Sequence, residues 1–204
     1  KVERAIDRTR PVVDQSKPWP ALSAEQQREM DEAVAMLREA ADQGHMEAQA
    51  NCGALYMFGW GVAKDDRLGF VYIERAARQG LGWAQHNTGV NYRKGRGCEQ
   101  SYERAAEWFE KAVRKGHADA MVNLGSLYRD GRGVPQDHNR AVQLFSQGAA
   151  LGHVDGYFNL GCCQAMGQGV PKNYQEARRL FALASAQGHS GATAVLDRIN
   201  KDIQ

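Results

Sequence analysis

Residues 105–140 read AAEWFEKAVRKGHADAMVNLGSLYRDGRGVPQDHNR, and this stretch decides the fold. Ala105, Trp108, Phe109, Ala112 and Val113 recur at i, i+3, i+4, i+7 and i+8, one apolar face of a helix. Gly116 ends that helix, because glycine readily takes the left-handed conformation just past a helix C-terminus. A second helix follows, with Ala120, Asn123, Leu124 and Leu127 on one face. Gly125 sits inside it at a propensity cost of about 1 kcal/mol relative to Ala. That cost predicts another helix backbone packed closely there. Gly131-Arg132-Gly133-Val134-Pro135 is the return loop, and Asp137 stands where it would cap the next helix.

Reading outward, the same hairpin recurs. Gly44, Gly80, Gly116, Gly152 and Gly188 each lie 36 residues after the last. Three further glycine phases keep that spacing: one through Gly53, Gly89, Gly125 and Gly161, and two in the loops through Gly131 and Gly133. Seventeen of the 22 glycines fall on these four phases, so the period is a property of the fold rather than chance. Leu37, Ile73, Phe109, Phe145 and Phe181 share another phase, Asn51, Asn87, Asn123 and Asn159 another, and Tyr56, Tyr92 and Tyr128 a third with Gln164 as the exception.

One hairpin cannot bury its apolar face alone, so neighbours must stack. The sequence therefore predicts an all-α, right-handed α-solenoid of helix–turn–helix repeats with a 36-residue period. Four full repeats are expected over 33–68, 69–104, 105–140 and 141–176, and a capping helix pair over 177–204. In the last helix Asp197, Arg198, Asn200, Lys201 and Asp202 supply a polar outer face. Ser23 with Gln26, and Asn173 with Glu176, have capping-box spacing. Ser23 should start its helix about two turns earlier than in the other repeats. Residues 23–204 thus read as a single solenoid. Residues 1–22 break the period and read as an extended arm, with Val2 and Ile6 as the tail of a preceding helix. Two readings stand for this arm: it lies along the first repeat, or it is a leader with no packing role.

A net charge of +2 is too mild to point to nucleic acid. No apolar run approaches the roughly 20 residues of a membrane-spanning helix. The chain opens Lys1-Val2-Glu3-Arg4, without an initiator Met or a signal-peptide layout, so an upstream segment, targeting information included, is expected to have been removed or left out. Cys52, Cys98, Cys162 and Cys163 form no CxxC pair. Cys52, Cys162 and Cys163 are expected to be reduced and buried, in the cytoplasm or another reducing compartment. Cys98 is in a loop.

The pattern A-x-x-W-F-x-K-A-x-x-x-G-H-x-x-A-x-x-x-L-G-x-x-Y-x-x-G-x-G-V-x-x-D at Ala105–Asp137 resembles the Sel1-like repeat, a relative of the tetratricopeptide repeat. The resemblance covers residues 33–204. It departs from the pattern at Cys98, Leu81 and Gln164. It implies a protein-interaction adaptor that holds a partner in a groove lined by the first helices. The cysteine-rich subgroup with a disulfide inside each repeat is not matched, because the paired cysteines are missing.

No convergent acid, base or nucleophile is visible, so no catalytic residue, metal ligand or cofactor is expected. His45, His117, His153 and His189 share one phase in four different repeats and read as polar turn residues. His86 shares a phase with Ala50, Val122 and Phe158 and is expected to be partly buried. Candidate partner-binding residues are those off the pattern. Arg75, Arg78, Lys111 and Arg114 occupy two first-helix phases and read either as a seat for an acidic segment or as a solvated face, with Glu74, Glu107 and Glu110 nearby. Trp60 and Trp83 stand where other copies are polar and read as interface anchors, or as residues the arm covers. The expected function is a non-enzymatic protein–protein interaction adaptor. The alternative is a structural subunit of a larger multiprotein assembly.

Overall fold

A computed structural model describes residues 23–201, with side chains through Arg198. The arm expected over residues 1–22 lies outside the described residues, as do the side chains of Asn200, Lys201 and Asp202. Ten helices and no strand occur among the described residues. They are α1 (Ala24–Asp42), α2 (Met46–Phe58), α3 (Asp66–Arg78), α4 (Gly82–Lys94), α5 (Tyr102–Val113), α6 (Ala118–Asp130), α7 (His138–Ala150), α8 (Val154–Met166), α9 (Tyr174–Ala186) and α10 (Ser190–Lys201).

The described residues divide into two compact units, with the boundary between Ser101 and Tyr102. In the first, α1 pairs with α2 and α3 with α4, and α3 packs on α2. In the second, α5–α6, α7–α8 and α9–α10 are the hairpins, and α7 and α9 pack on α6 and α8. The predicted apolar stripes face inward: Ala105, Trp108, Phe109 and Ala112 on α5, and Ala120, Leu124 and Leu127 on α6, are buried. Leu37, Ile73, Phe109, Phe145 and Phe181 are all buried.

Local bonds explain the remaining phases. Gly116 adopts φ +78° between α5 and α6, and the amide of His117 donates back to Ala112 O at 3.1 Å, closing the helix end. The same bond runs from His45, Leu81, His153 and His189. Leu81 is tolerated there because the bond uses only backbone. Each loop is tied by an amide that donates to a carbonyl on the Tyr phase: Asp65 to Tyr56, Ser101 to Tyr92 and Asp137 to Tyr128. Asn173 donates likewise to Gln164 at 2.9 Å, so the exception keeps its bond. The asparagines donate side-chain N–H to the carbonyl one turn back, as Asn51 does to Glu47 and Asn159 to Asp155, each at 2.8 Å.

The caps form as expected. Ser23 and Gln26 make a reciprocal capping box, and α1 starts at Ala24. Asp137 accepts from Arg140 N–H, and Asn173 from Glu176 N–H. Glu176 does not complete its box. Its carboxylate is taken by Arg179 at 2.7 and 2.8 Å, which holds it below its ordinary pKa. The exposed Asp197 and Arg198 lie on α10.

One expectation needs correcting. The close neighbour of Gly125 is not a helix backbone but the ring of Phe145: a Cβ on Gly125 would stand 2.7 Å from Cε1. Gly161 meets Phe181 in the same way, at 2.8 Å. The small residue admits an aromatic side chain from the following repeat. At Gly53, where the neighbour is Ile73, two backbone atoms, Gly69 O and Ile73 N, also come to 3.0 Å.

Candidate functional site

The structure places the six candidate side chains as follows. Arg75 and Arg78 lie on α3 of the first unit, and both are engaged. Arg75 Nη1 is 3.5 Å from Asp42 Oδ1, with its guanidinium 5.6 Å from the Tyr72 ring centroid. Tyr72 donates its hydroxyl to the same carboxylate at 3.2 Å, and burial, then the Asp42 charge, pushes this phenol's pKa up. Arg78 Nη2 is 3.0 Å from Glu74 Oε2, and Glu74 also accepts from Tyr92 Oη–H at 2.9 Å. Both guanidiniums remain more than half exposed, at 51% and 68%, so a ligand can reach them in competition with their carboxylates.

In the second unit Lys111 lies on α5 and Arg114 in the turn just past its end. Lys111 Nζ sits 3.9 Å from the Trp108 ring centroid, a cation–π contact, and Arg114 is exposed. Trp83, on α4, is 42% exposed. Trp60 departs from the first of its two readings, the interface anchor. It is buried in the first unit and stacks on Phe58 with centroids 4.4 Å apart. It extends the core past the end of α2 instead of presenting a surface.

Three of the turn histidines, His45, His117 and His153, occupy N-cap positions. His189 Nδ1 accepts from Ala192 N–H at 3.0 Å while Nε2 stands 3.4 Å from Asp155 Oδ1. His153 Nε2 is 3.1 Å from Asp119 Oδ1. Each therefore links its hairpin to the preceding one, a role the sequence reading did not find although it identified both phases. His86 is half-buried. Among the described residues no three His, Cys, Asp or Glu side chains are grouped to hold a metal ion, and no helix is long and apolar enough to cross a membrane.

All four cysteines are thiols. Cys52 and Cys163 are buried, and burial pushes them up to about 12 and about 11. Cys162 departs from the expectation: it is half-buried, because it faces a cleft on α8 one residue round from the core-facing Cys163. Burial raises it and Arg129 pulls it back. Since the thiolate is the reactive form, an aromatic disulfide reagent at pH 8 should modify Cys98 and Cys162 in the native protein. Cys52 and Cys163 should react only after unfolding. Four fast-reacting thiols under native conditions would contradict this core.

Two clefts open beside the helices. In the first unit, Gln27, Asp31 and Val34 of α1 face Tyr56 and Val62 across about 450 Å³. In the second, about 480 Å³ is bounded by the end of α6, the loop after it, the start of α7 and the outer face of α8. Neither cleft was found from sequence. The available signal for the second was the run Phe158, Cys162 and Met166, off the pattern at one-turn spacing.

The chain matches the Sel1 repeat family over residues 26–45, 47–81, 84–117, 118–153 and 154–189, in repeats of about 35 residues. A search of curated proteins gave no match. Among solved structures, it is similar to c5321, a protective antigen of uropathogenic Escherichia coli strains with an SLR fold. The TM-score is 0.78 and the identity 32%, covering 83% of this chain and 36% of that one. It therefore spans about a third of that protein's length. A Sel1 repeat protein from Oxalobacter formigenes aligns with TM-score 0.74 and 28% identity, over 85% of this chain and 74% of its own. The immunity protein PA5088 from Pseudomonas aeruginosa, at 22% identity and TM-score 0.54 over 92% and 66%, shares the fold.

Proposed function

The chain belongs to the Sel1 repeat family, and from that premise we propose that it is a non-enzymatic adaptor holding a segment of a protein partner. Sel1 repeat proteins are generally protein-interaction scaffolds, and the all-α solenoid supplies the extended surface such binding uses. The observation that carries the reading is Trp83. It is well exposed on α4 where the equivalent residues are Glu47, Asp119 and Asp155. Tryptophan is the residue type most enriched among interface hot spots.

The basic residues set orientation more than affinity. Exposed ion pairs are worth roughly 0.2–1 kcal/mol each, and Arg75 and Arg78 already have carboxylates. An acidic partner segment would exchange one carboxylate for another and needs an apolar anchor as well. The four thiols suit a reducing compartment. The second reading, a subunit of a larger assembly, is favoured by Leu151 and Tyr174, both well exposed away from Trp83 in sequence.

Affinity purification with quantitative mass spectrometry tests the adaptor reading. Trp83→Ala should reduce capture of the principal partner at least about tenfold, which is about 1.4 kcal/mol. The Arg78→Glu/Arg114→Glu double reversal should reduce it further at low salt than at high salt. Unchanged capture by both variants, with native circular dichroism, would remove Trp83, Arg78 and Arg114 from consideration.

A further inference from the structure

We propose that the cleft of the second unit binds an extended acidic–apolar segment of a protein partner, with an apolar side chain on Met166 and a carboxylate at the arginines of the rim. This rests on the adaptor reading and names a site for it outside the six candidate residues.

The floor comes from α8. Phe158, Cys162 and Met166 follow each other at i, i+4 and i+8 and form one stripe. The equivalent positions are Val122, Ser126 and Asp130 in the preceding repeat and Ala50, Ala54 and Phe58 in the first, so within the second unit the fully apolar stripe is set by Phe158, Cys162 and Met166. Phe158 is anchored from behind by Phe181 and by His189, whose ring stacks on it at 4.2 Å. Met166 is 54% exposed. Its flexible thioether can adapt to an apolar side chain of varied shape.

The wall is a guanidinium held in place. Arg129 donates from Nε to Asp130 Oδ1 and from Nη1 to Asn159 Oδ1, both at 2.8 Å. The bond to Asp130 outweighs desolvation and raises its pKa. Arg132, exposed and over the Tyr102 ring at 5.7 Å, adds a second cation. Two guanidiniums face one carboxylate here, so the cleft carries an excess positive charge complementary to an acidic group.

The remaining lining supplies peptide-like partners. Gln168 Oε1 and His138 Nδ1 are buried in the cleft lining and have no hydrogen-bond partner. A buried acceptor without a donor is unfavourable, and Gln168 can accept from a backbone N–H of an extended chain once its side chain turns out into the cleft. A volume of about 480 Å³ is within the range of ordinary ligand sites. Apolar floor, cationic wall and orphaned acceptor together describe a short segment carrying a large apolar residue beside Asp or Glu.

The test uses the full chain and two labelled probes, a fluorescein-tagged (Glu-Leu)₃ peptide and its (Lys-Leu)₃ counterpart, read by fluorescence anisotropy. Met166→Asp installs the residue the preceding repeat carries at that phase, so the fold should tolerate it. Binding of (Glu-Leu)₃ should weaken at least tenfold in Met166→Asp and in Arg132→Glu, and stay unchanged in Trp83→Ala. Bound peptide should slow alkylation of Cys162 and leave Cys98 unaffected. Absent or equal binding in wild type and both cleft variants overturns the proposal, as does tighter binding of (Lys-Leu)₃. If Met166→Asp instead converts a dimer to a monomer by light scattering, the occupant is a second copy and the proposal falls. Loss of the cleft with partner capture still sensitive to Trp83→Ala leaves the adaptor reading standing.

Discussion

Phe145→Ala should destabilise the protein by about 3–5 kcal/mol, the range for removing a fully buried aromatic side chain. Phe145 is 0% exposed. Its ring fills the space that Gly125 leaves on α6, with Arg129 6.0 Å from the ring centroid. Truncation removes the ring, and Gly125 has no side chain to move into the void. The two residues join α6 to α7, so the loss falls on the joint between neighbouring hairpins as well as on one helix. For a chain of this size each kcal/mol is worth roughly 2–4 °C, so the melting midpoint followed by circular dichroism should fall by roughly 6–20 °C. The partner measurement is Gly125→Ala. Alone it drives a methyl into the ring and should destabilise; combined with Phe145→Ala it puts carbon back into the cavity. The double variant should therefore be more stable than the sum of the two singles predicts. Simple additivity would show that the pair does not touch in solution.

Gly133→Ala should cost more than Gly131→Ala, although both glycines adopt positive φ, +69° and +65°. Each substitution forces an L-residue into the left-handed region at roughly 1–2 kcal/mol. A Cβ on Gly131 would meet little besides Gln136 Cβ at 3.1 Å. A Cβ on Gly133 would run into the backbone of Tyr102 and Glu103 at the start of α5, which cannot give way as a flexible side chain can. Overpacking typically adds about 1–3 kcal/mol. The expected total is about 2–5 kcal/mol for Gly133→Ala, against about 1–2 for Gly131→Ala. Urea midpoints at equal m-value measure the difference, and equal losses would mean that the close approach is absent.

Much of this was legible in the sequence because backbone requirements repeat with the chain. Gly116, Asp137 and the Tyr-phase carbonyls are fixed by local geometry, so their residue types, or their tolerance of exceptions, recur at fixed positions. What was not legible depends on side chains meeting across repeats. Gly125 announced a close approach but not that Phe145 makes it. Trp60 stood as an interface anchor or as a residue the arm covers, because its counterparts Arg96 and Arg132 are polar, and its place in the core of the first unit needed coordinates. Cys162 looked buried beside Cys163, but successive helical residues point about 100° apart, and one of them faces the cleft. Glu74 was already named in the sequence as a neighbour of the cations and pairs with Arg78, while the pairing of Arg75 with Asp42 needed coordinates.

The contact at Gly133 has counterparts at the same place in other repeats. Gly97 abuts Asp66 at the start of α3, and Gly169 abuts His138 at the start of α7. In these three repeats the loop glycine closes onto the backbone at the start of its own hairpin's first helix, whereas Gly61 meets the Met30 side chain. A gene encoding this chain can then gain or lose one whole repeat by unequal recombination, and each hairpin carries its own closing contact with it. An insertion of a few residues within a loop has no such ready-made seat. Length in this lineage should therefore change in whole-repeat steps, while short indels should collect outside the glycine pairs.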